Sequence, residues 1–269
     1  MSGEKKVYFD NAATTPMREE VKQAMMASLD SFGNPSSIHS FGRASKVLIE
    51  KARKNIAKEL GVTASEIIFT SGGTEAINMI LKGAVRDLGI TQIITSPTEH
   101  HAVLHTVQSI ENEYGIQVSM VELEPSGTPD IEDLNKLLSQ FLSDEKVLVT
   151  LMYVNNEIGN ILPMAKVAEI CKKHKAYFHC DTVQAVGHFP VDLSSVPIDF
   201  ISVSAHKFYG PKGVGFAFIR KGVNVKSLLF GGEQERGRRA GTECIHNIVG
   251  MEEAFLQAYQ YMDKERAYV

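Results

Sequence analysis

Lys207 stands in the run Ser204-Ala205-His206-Lys207, after the apolar segment Asp199-Phe200-Ile201-Ser202-Val203 and before the glycine-rich turn Gly210-Pro211-Lys212-Gly213-Val214-Gly215. A lysine at the end of a buried strand, beside a hydroxyl and an imidazole, is an amine placed to lose its proton. Desolvation favours the neutral form, and a neutral amine forms a Schiff base with an aldehyde such as pyridoxal phosphate (PLP). That chemistry needs an acid to keep the pyridine nitrogen protonated. Asp181, which ends the apolar segment Ala176-Tyr177-Phe178-His179-Cys180, is the candidate. It also needs an anion site for the phosphate, which a helix N-terminus or a nest of backbone N–H groups provides. Ser71-Gly72-Gly73-Thr74-Glu75 has that form, between the strand-like Ile67-Ile68-Phe69-Thr70 and a helix beginning near Thr74. Each group also has an ordinary reading: a surface lysine, a turn aspartate, a threonine-capped strand-to-helix connection. The three together favour the chemistry.

The elements around these residues alternate between strand and helix, which predicts an α/β fold with a largely parallel sheet. Thr15-Pro16 opens a helix, with Thr15 as cap, Pro16 in the first helical position and Glu19 and Glu20 in the first turn. Further helices are predicted near 41–60, 74–88, 101–114, 130–142 and 163–174. Strands are predicted at 67–70, 92–95, 117–122, 146–152, 176–181, 199–203 and 214–219. The 146–152 segment is almost wholly apolar, as a central parallel strand should be. From Ile248 an amphipathic helix runs to Val269 with no stop signal, the pattern expected of a chain that continues.

Composition narrows the class. With 28 basic and 32 acidic residues, the chain has no basic excess with which to bind nucleic acid directly. No apolar run reaches the roughly 20 residues that span a bilayer. Met1-Ser2-Gly3-Glu4-Lys5-Lys6 lacks the apolar stretch of a secretory signal. Cys171, Cys180 and Cys244 are few and widely spaced, with no CxxC pair. They predict a reducing, cytoplasmic setting with neither disulfides nor a metal site. Cys171 and Cys180 read as small buried hydrophobes and Cys244 as partly exposed. His105, His174, His179, His188 and His246 read as structural or exposed.

A series of motifs carries a family likeness: Tyr8-Phe9-Asp10-Asn11-Ala12-Ala13-Thr14-Thr15, Gly33-Asn34-Pro35-Ser36-Ser37-Ile38-His39, Thr70-Ser71-Gly72-Gly73-Thr74-Glu75, Glu99-His100, Asn155-Asn156-Glu157-Ile158-Gly159, Asp181-Thr182-Val183-Gln184, Ser204-Ala205-His206-Lys207 and Arg238-Arg239-Ala240-Gly241-Thr242. In these motifs, which cover essentially the whole chain, it resembles the cysteine desulfurases. These are PLP enzymes of the aminotransferase (type I) fold, and the likeness is to the group serving nitrogen fixation and iron–sulfur cluster assembly. The resemblance implies a large PLP-binding domain with a mostly parallel sheet of about seven strands flanked by helices. It divides the chain into an N-terminal segment (1–15), that domain (16–250) and the start of a helix (251–269) leading to a small C-terminal domain largely absent from this sequence.

By position, the resemblance implies that Lys207 holds PLP as a Schiff base and that Asp181 pairs with the pyridinium nitrogen. Gln184 would hydrogen-bond the ring oxygen, and His100 would stack on the ring and move protons. Gly73, Thr74, Ser204 and His206 would bind the phosphate, joined by Thr242 from the other subunit of a homodimer. Asn156 would touch cofactor and substrate, and Asn34 would face the substrate. The Arg236, Arg238, Arg239 cluster reads as electrostatic support for the anion. The implied reaction converts L-cysteine to L-alanine, with sulfur passed to an enzyme cysteine and on to an iron–sulfur scaffold or another acceptor protein. The family's catalytic cysteine lies on a loop beyond position 269, so little or no turnover is expected of these 269 residues alone. Beside this reading stand another PLP lyase or aminotransferase of the same fold, such as a selenocysteine lyase, and a non-catalytic PLP-binding dimerisation fragment.

Overall fold

Seven segments rich in β-branched and aromatic residues form one sheet: β1 (Ile67–Thr70), β2 (Gln92–Thr95), β3 (Gln117–Met120), β4 (Val147–Met152), β5 (Tyr177–Asp181), β6 (Phe200–Ser204) and β7 (Gly215–Ile219). The computed structural model describes residues 6–142 and 144–268. The strand order is β1-β7-β6-β5-β4-β2-β3. Pairing is parallel from β3 through β6, and β7 is antiparallel to both β6 and β1. Six strands therefore point one way, and their carboxyl ends share one edge of the sheet.

The helices are α1 (Glu19–Ser28), α2 (Ser40–Glu59), α3 (Gly73–Gly83), α4 (His101–Tyr114), α5 (Ile131–Leu138), α6 (Met164–Lys173) and α7 (Ile245–Tyr268). On one face of the sheet, Val149, Leu151, Phe178, Cys180, Ile201 and Val203 form a continuous core with α2, α6 and α7. On the other, Ile68, Leu148, Phe200 and Ala217 pack with the apolar side chains of α3 and α4. Side chains alternate faces along a strand, so residues two apart share a face. Along that second face the side chains turn polar towards the carboxyl edge: Leu148 gives way to Thr150, Phe200 to Ser202 and Ser204, and Tyr177 to His179 and Asp181. Crevices at this edge are where open α/β sheets bind ligands.

Three expectations about the elements need correction. Thr15 does not cap α1. Its Oγ1 donates to the His206 carbonyl (2.9 Å) and accepts from the Tyr209 N–H (2.7 Å), so the hydroxyl is committed to the turn after β6. The helix starts later, at Glu19, with no side-chain cap at Arg18. The helix predicted to Leu88 is α-helical to Gly83 and continues as a wider π turn through Leu88. The helix predicted over 130–142 ends at Leu138, with Asp130 as its cap. The C-terminal helix is followed to Tyr268; Val269 lies outside the described residues, as do Met1 to Lys5.

The free edge of β1 is capped by a buried ion pair. Arg53 of α2 donates to the Ile67 carbonyl (2.8 Å), and Glu235 accepts from the Phe69 N–H (2.9 Å). The two side chains pair through both Arg53 terminal nitrogens at 2.6 and 2.7 Å. Unpaired strand edges invite association with other chains, and here two charges satisfy them.

Candidate active site

A cavity of about 470 Å³ opens at the carboxyl edge, with Gly73, Thr74, Asp181, Ser204, His206 and Lys207 in its wall. One end of it is the N-terminus of α3. Gly72, at φ +149°, adopts a conformation that side-chain-bearing residues rarely reach. A Cβ on Gly73 would lie 2.7 Å from Val183 Cγ2, so the backbone can come this close to the β5 turn with glycine alone. The first N–H groups of a helix have no intrahelical partners, and with the helix dipole they favour an anion. Ser204 and His206 enter from the adjacent end of β6. His206 Nδ1 bonds Thr14 Oγ1 at 3.1 Å. Burial, then the charges of Lys207 and Lys212, push His206 down to about 4, so the ring is neutral at physiological pH.

Lys207 ends the short turn after β6. Its Nζ donates to the carbonyls of Ala12 (2.5 Å) and Ala13 (2.9 Å). Burial lowers its pKa, opposed by the charges of Asp181 and Asp10. Gln184 Nε2 donates to the same Ala12 carbonyl at 2.9 Å. The 11–14 turn thus backs the pocket through its main chain. This contribution was missed, because carbonyl groups leave no mark on residue type.

Asp181, at the end of β5, is buried. Its Oδ1 accepts from the Val183 N–H (3.0 Å) and from Ser202 Oγ (3.1 Å). Among the described residues no hydrogen bond is made by Oδ2. Burial raises the pKa of this carboxyl, while the Val183 N–H, His100, Ser202 and Lys207 work against the rise. A cation brought beside it would favour the charged form.

His100 caps α4 in place of a hydroxyl residue: its Nδ1 accepts from the Ala102 N–H at 3.0 Å. An accepting Nδ1 carries no proton, so in this arrangement the ring proton is on Nε2. The preceding Glu99 is fully enclosed and accepts from the Met152 N–H at 2.6 Å. Burial, with Asp181 close by, pushes its carboxyl well above the usual range. Glu99 therefore ties the loop carrying His100 to the end of β4. Its place beside His100 in the sequence was the available signal.

Asn156 also lines the cavity, with its amide donating to Glu157 Oε1 at 2.6 Å. Asn34 and Thr242 are exposed and do not line the cavity of their own chain. Asn34 instead accepts from the Ser36 N–H at 2.9 Å. Two arginines of the cluster are committed to ion pairs. Arg239 forks onto Glu75 (2.8 and 3.2 Å) and Arg236 bonds Glu50 (3.1 Å), so both tie the 233–243 segment to helices and neither lines the cavity. Cys171 and Cys180 are buried and Cys244 is exposed, as expected, and none lines the cavity.

The sequence profile described as aminotransferase class-V matches residues 7–267. The chain belongs to the class-V aminotransferase family. It is 47% identical over 264 residues to a protein of Dictyoglomus turgidum named cysteine desulfurase IscS, a match covering 97% of this chain and 66% of that protein. It is also 47% identical to a putative cysteine desulfurase of Bacillus subtilis, over 97% of this chain and 68% of the other. The chain thus spans about two thirds of these relatives. Among solved structures, one described as a NifS-like protein superposes with a TM-score of 0.92 at 41% identity, covering 97% of this chain and 71% of that one. Another, described as SspA in complex with cysteine, gives 0.86 at 32% identity, covering 97% and 78%. The expected sheet of seven strands flanked by helices agrees with these neighbours.

Proposed function

We propose that this chain is the cofactor-binding part of a PLP-dependent cysteine desulfurase, which converts L-cysteine to L-alanine and passes the sulfur to a protein thiol. The observation carrying the reading is the convergence of a desolvated lysine, a buried carboxylate and a glycine-led helix N-terminus on one cavity. The names of the family relatives favour cysteine among the possible substrates, as does the cysteine complex of one structural neighbour.

The residues fit a phosphorylated pyridine aldehyde. The N–H groups of Gly73 and Thr74, the Ser204 hydroxyl and the neutral His206 ring would hold the phosphate. Asp181 would hold the proton on the ring nitrogen, Gln184 would bond the ring oxygen, and Lys207 would supply the amine. PLP, when bound, supplies an electron sink for charge developing at the substrate α-carbon. Lys207, whose proton is loosened by burial, is suited to carry protons at that carbon. His100, with its proton on Nε2 and its ring in the cavity wall, is placed as a donor. Asn156 is placed to touch the substrate. An attacking thiolate would form an S–S bond as the substrate C–S bond breaks, and the β-carbon would take a proton to give alanine. None of Cys171, Cys180 and Cys244 lines the cavity of its own chain, and the reading assigns that thiolate to a cysteine outside residues 6–268.

We further propose a cytoplasmic homodimer that delivers sulfur to an iron–sulfur scaffold or another acceptor. Support for the dimer comes from Phe9, Phe32, Ile38 and Phe230, which are 77–91% exposed, and from Thr242, which is exposed outside its own chain's cavity. No described helix is long and apolar enough to cross a membrane. Absorbance of the purified protein with added PLP tests the reading. A band at roughly 390–420 nm, absent in Lys207→Ala, is expected of a lysine–PLP linkage. Absence of the band in the wild type, or its persistence in Lys207→Ala, would sink it.

A further inference from the structure

Thr150, His179 and Ser202 lie behind Asp181 on the same sheet face, all fully buried. Register brings them together: Thr150 pairs with His179 across β4 and β5, and Asp181 with Ser202 across β5 and β6. Thr150 Oγ1 is 2.8 Å from His179 Nδ1, His179 Nε2 is 3.3 Å from Ser202 Oγ, and Ser202 Oγ is 3.1 Å from Asp181 Oδ1.

Proton counting gives this chain a direction. An ionised Asp181 only accepts, so Ser202 spends its one proton on Oδ1. The Ser202 oxygen then accepts from His179 Nε2–H. His179 Nδ1 is left bare and accepts from the Thr150 hydroxyl. Every donor points towards the carboxylate, and such chains strengthen by mutual polarisation in a dry interior. If Asp181 takes a proton, every bond can reverse, and the imidazole proton moves to Nδ1. The His179 tautomer therefore reports whether Asp181 Oδ1, the oxygen facing Ser202, carries a proton. Burial pushes His179 down to about 3, which keeps the ring neutral in either arrangement. The other titratable neighbours of Asp181 are His100 and Lys207, Glu99 from the loop before α4, and Cys180 beside it in β5.

We propose that Thr150, His179 and Ser202 are positioning residues whose one-way chain of hydrogen bonds holds Asp181 oriented and ionised towards the ring nitrogen of the bound cofactor. The last link rests on the PLP reading above; the chain itself does not.

Nitrogen-15 NMR of the imidazoles, in wild type and with His179→Gln for assignment, tests the chain without cofactor. At pH 8 His179 is expected as the Nε2–H tautomer, with no imidazolium formed down to pH 5. An Nδ1–H ring at pH 8, or a ring that protonates above pH 5, overturns the proposal. The PLP-loaded protein tests the link to the cofactor. Asp181 holds positive charge on the ring, and that charge makes the lysine linkage less basic. Ser202→Ala is therefore expected to move the pH midpoint of the Lys207-dependent band up by about one unit, and Ser202→Thr to restore it. An unchanged midpoint in Ser202→Ala overturns the proposed role. If no Lys207-dependent band forms in the wild type, the PLP reading fails while the NMR result still decides the chain.

Discussion

The layer beneath the cavity and the segment flanking β1 are built by different forces. In that layer, Asp181, Ser202, His179 and Thr150 sit on three adjacent parallel strands, and each finds its partner through strand register. The flank, residues 233–243, has little regular structure, and Glu235 and Arg236 adopt positive φ of 50° and 60°. Ion pairs hold it down: Arg53 to Glu235 beneath and Arg239 to Glu75 beside the α3 N-terminus. Neutral hydrogen-bonding groups behind one carboxylate, in a dry, preformed lattice, give the layer fixed geometry. Paired charges dock a segment whose own backbone supplies few bonds, and a buried charge left without its partner is costly. The comparison teaches that the chemistry and the anchoring are separable.

Four outcomes would sharpen or break that contrast, the largest first. Lys207→Ala should abolish the PLP-dependent band while leaving the free energy of unfolding within about 0.5 kcal/mol of wild type, as for a substitution outside the core. Urea unfolding alongside the spectra checks it; a collapse of stability would mean that the lysine holds the 11–14 turn in place. Arg53→Ala should cost about 3–5 kcal/mol, because Glu235 is left buried and uncompensated. Replacing Arg53 and Glu235 together by apolar residues should cost less, and a double variant as unstable as the single one would refute the ion-pair account.

The third concerns pH. His179 titrates near 6.5 when unfolded and is pushed to about 3 in the fold. Below pH 6.5 the unfolded chain therefore binds a proton that the native protein refuses. Stability from this group is intact above that pH and is lost as pH falls towards 3, by up to about 1.4 kcal/mol per unit. Buried acids such as Glu99 tilt the opposite way, so the diagnostic is the difference between wild type and His179→Gln. The wild type should lose stability more steeply between pH 6.5 and 4; parallel curves would show a solvated imidazole. The smallest effect is expected from Thr15→Val, which removes the two bonds its hydroxyl makes to the Lys207 turn and leaves the other bonds between the two segments in place. A loss of about 1–2 kcal/mol in urea unfolding is expected, and a neutral result would show that the turn stands without the hydroxyl.

Much of this protein is written in short stretches of sequence. The strand-to-helix glycine turn, the lysine after an apolar strand and the aspartate ending another were legible because each depends on neighbours within a few residues. So were α4, recovered at its predicted bounds, and the seven strands, each located to within a few residues. Thr15 misled for the same reason: as a local signal it is a sound helix cap, and a partner 191 residues away outbid the helix. His179 was read as structural or exposed, since nothing beside it shows that Thr150 and Ser202 would meet it. The sequence by itself determined the fold class, the family likeness and the identity of the groups able to do chemistry, because periodicity and motif spacing are properties of contiguous residues. Tertiary structure alone decided which carbonyls hold Lys207, what stands behind Asp181, and that Asn34 and Thr242 stay outside their own chain's cavity. Those relations are set by strand register and by the docking of distant segments, and no stretch of contiguous residues encodes either.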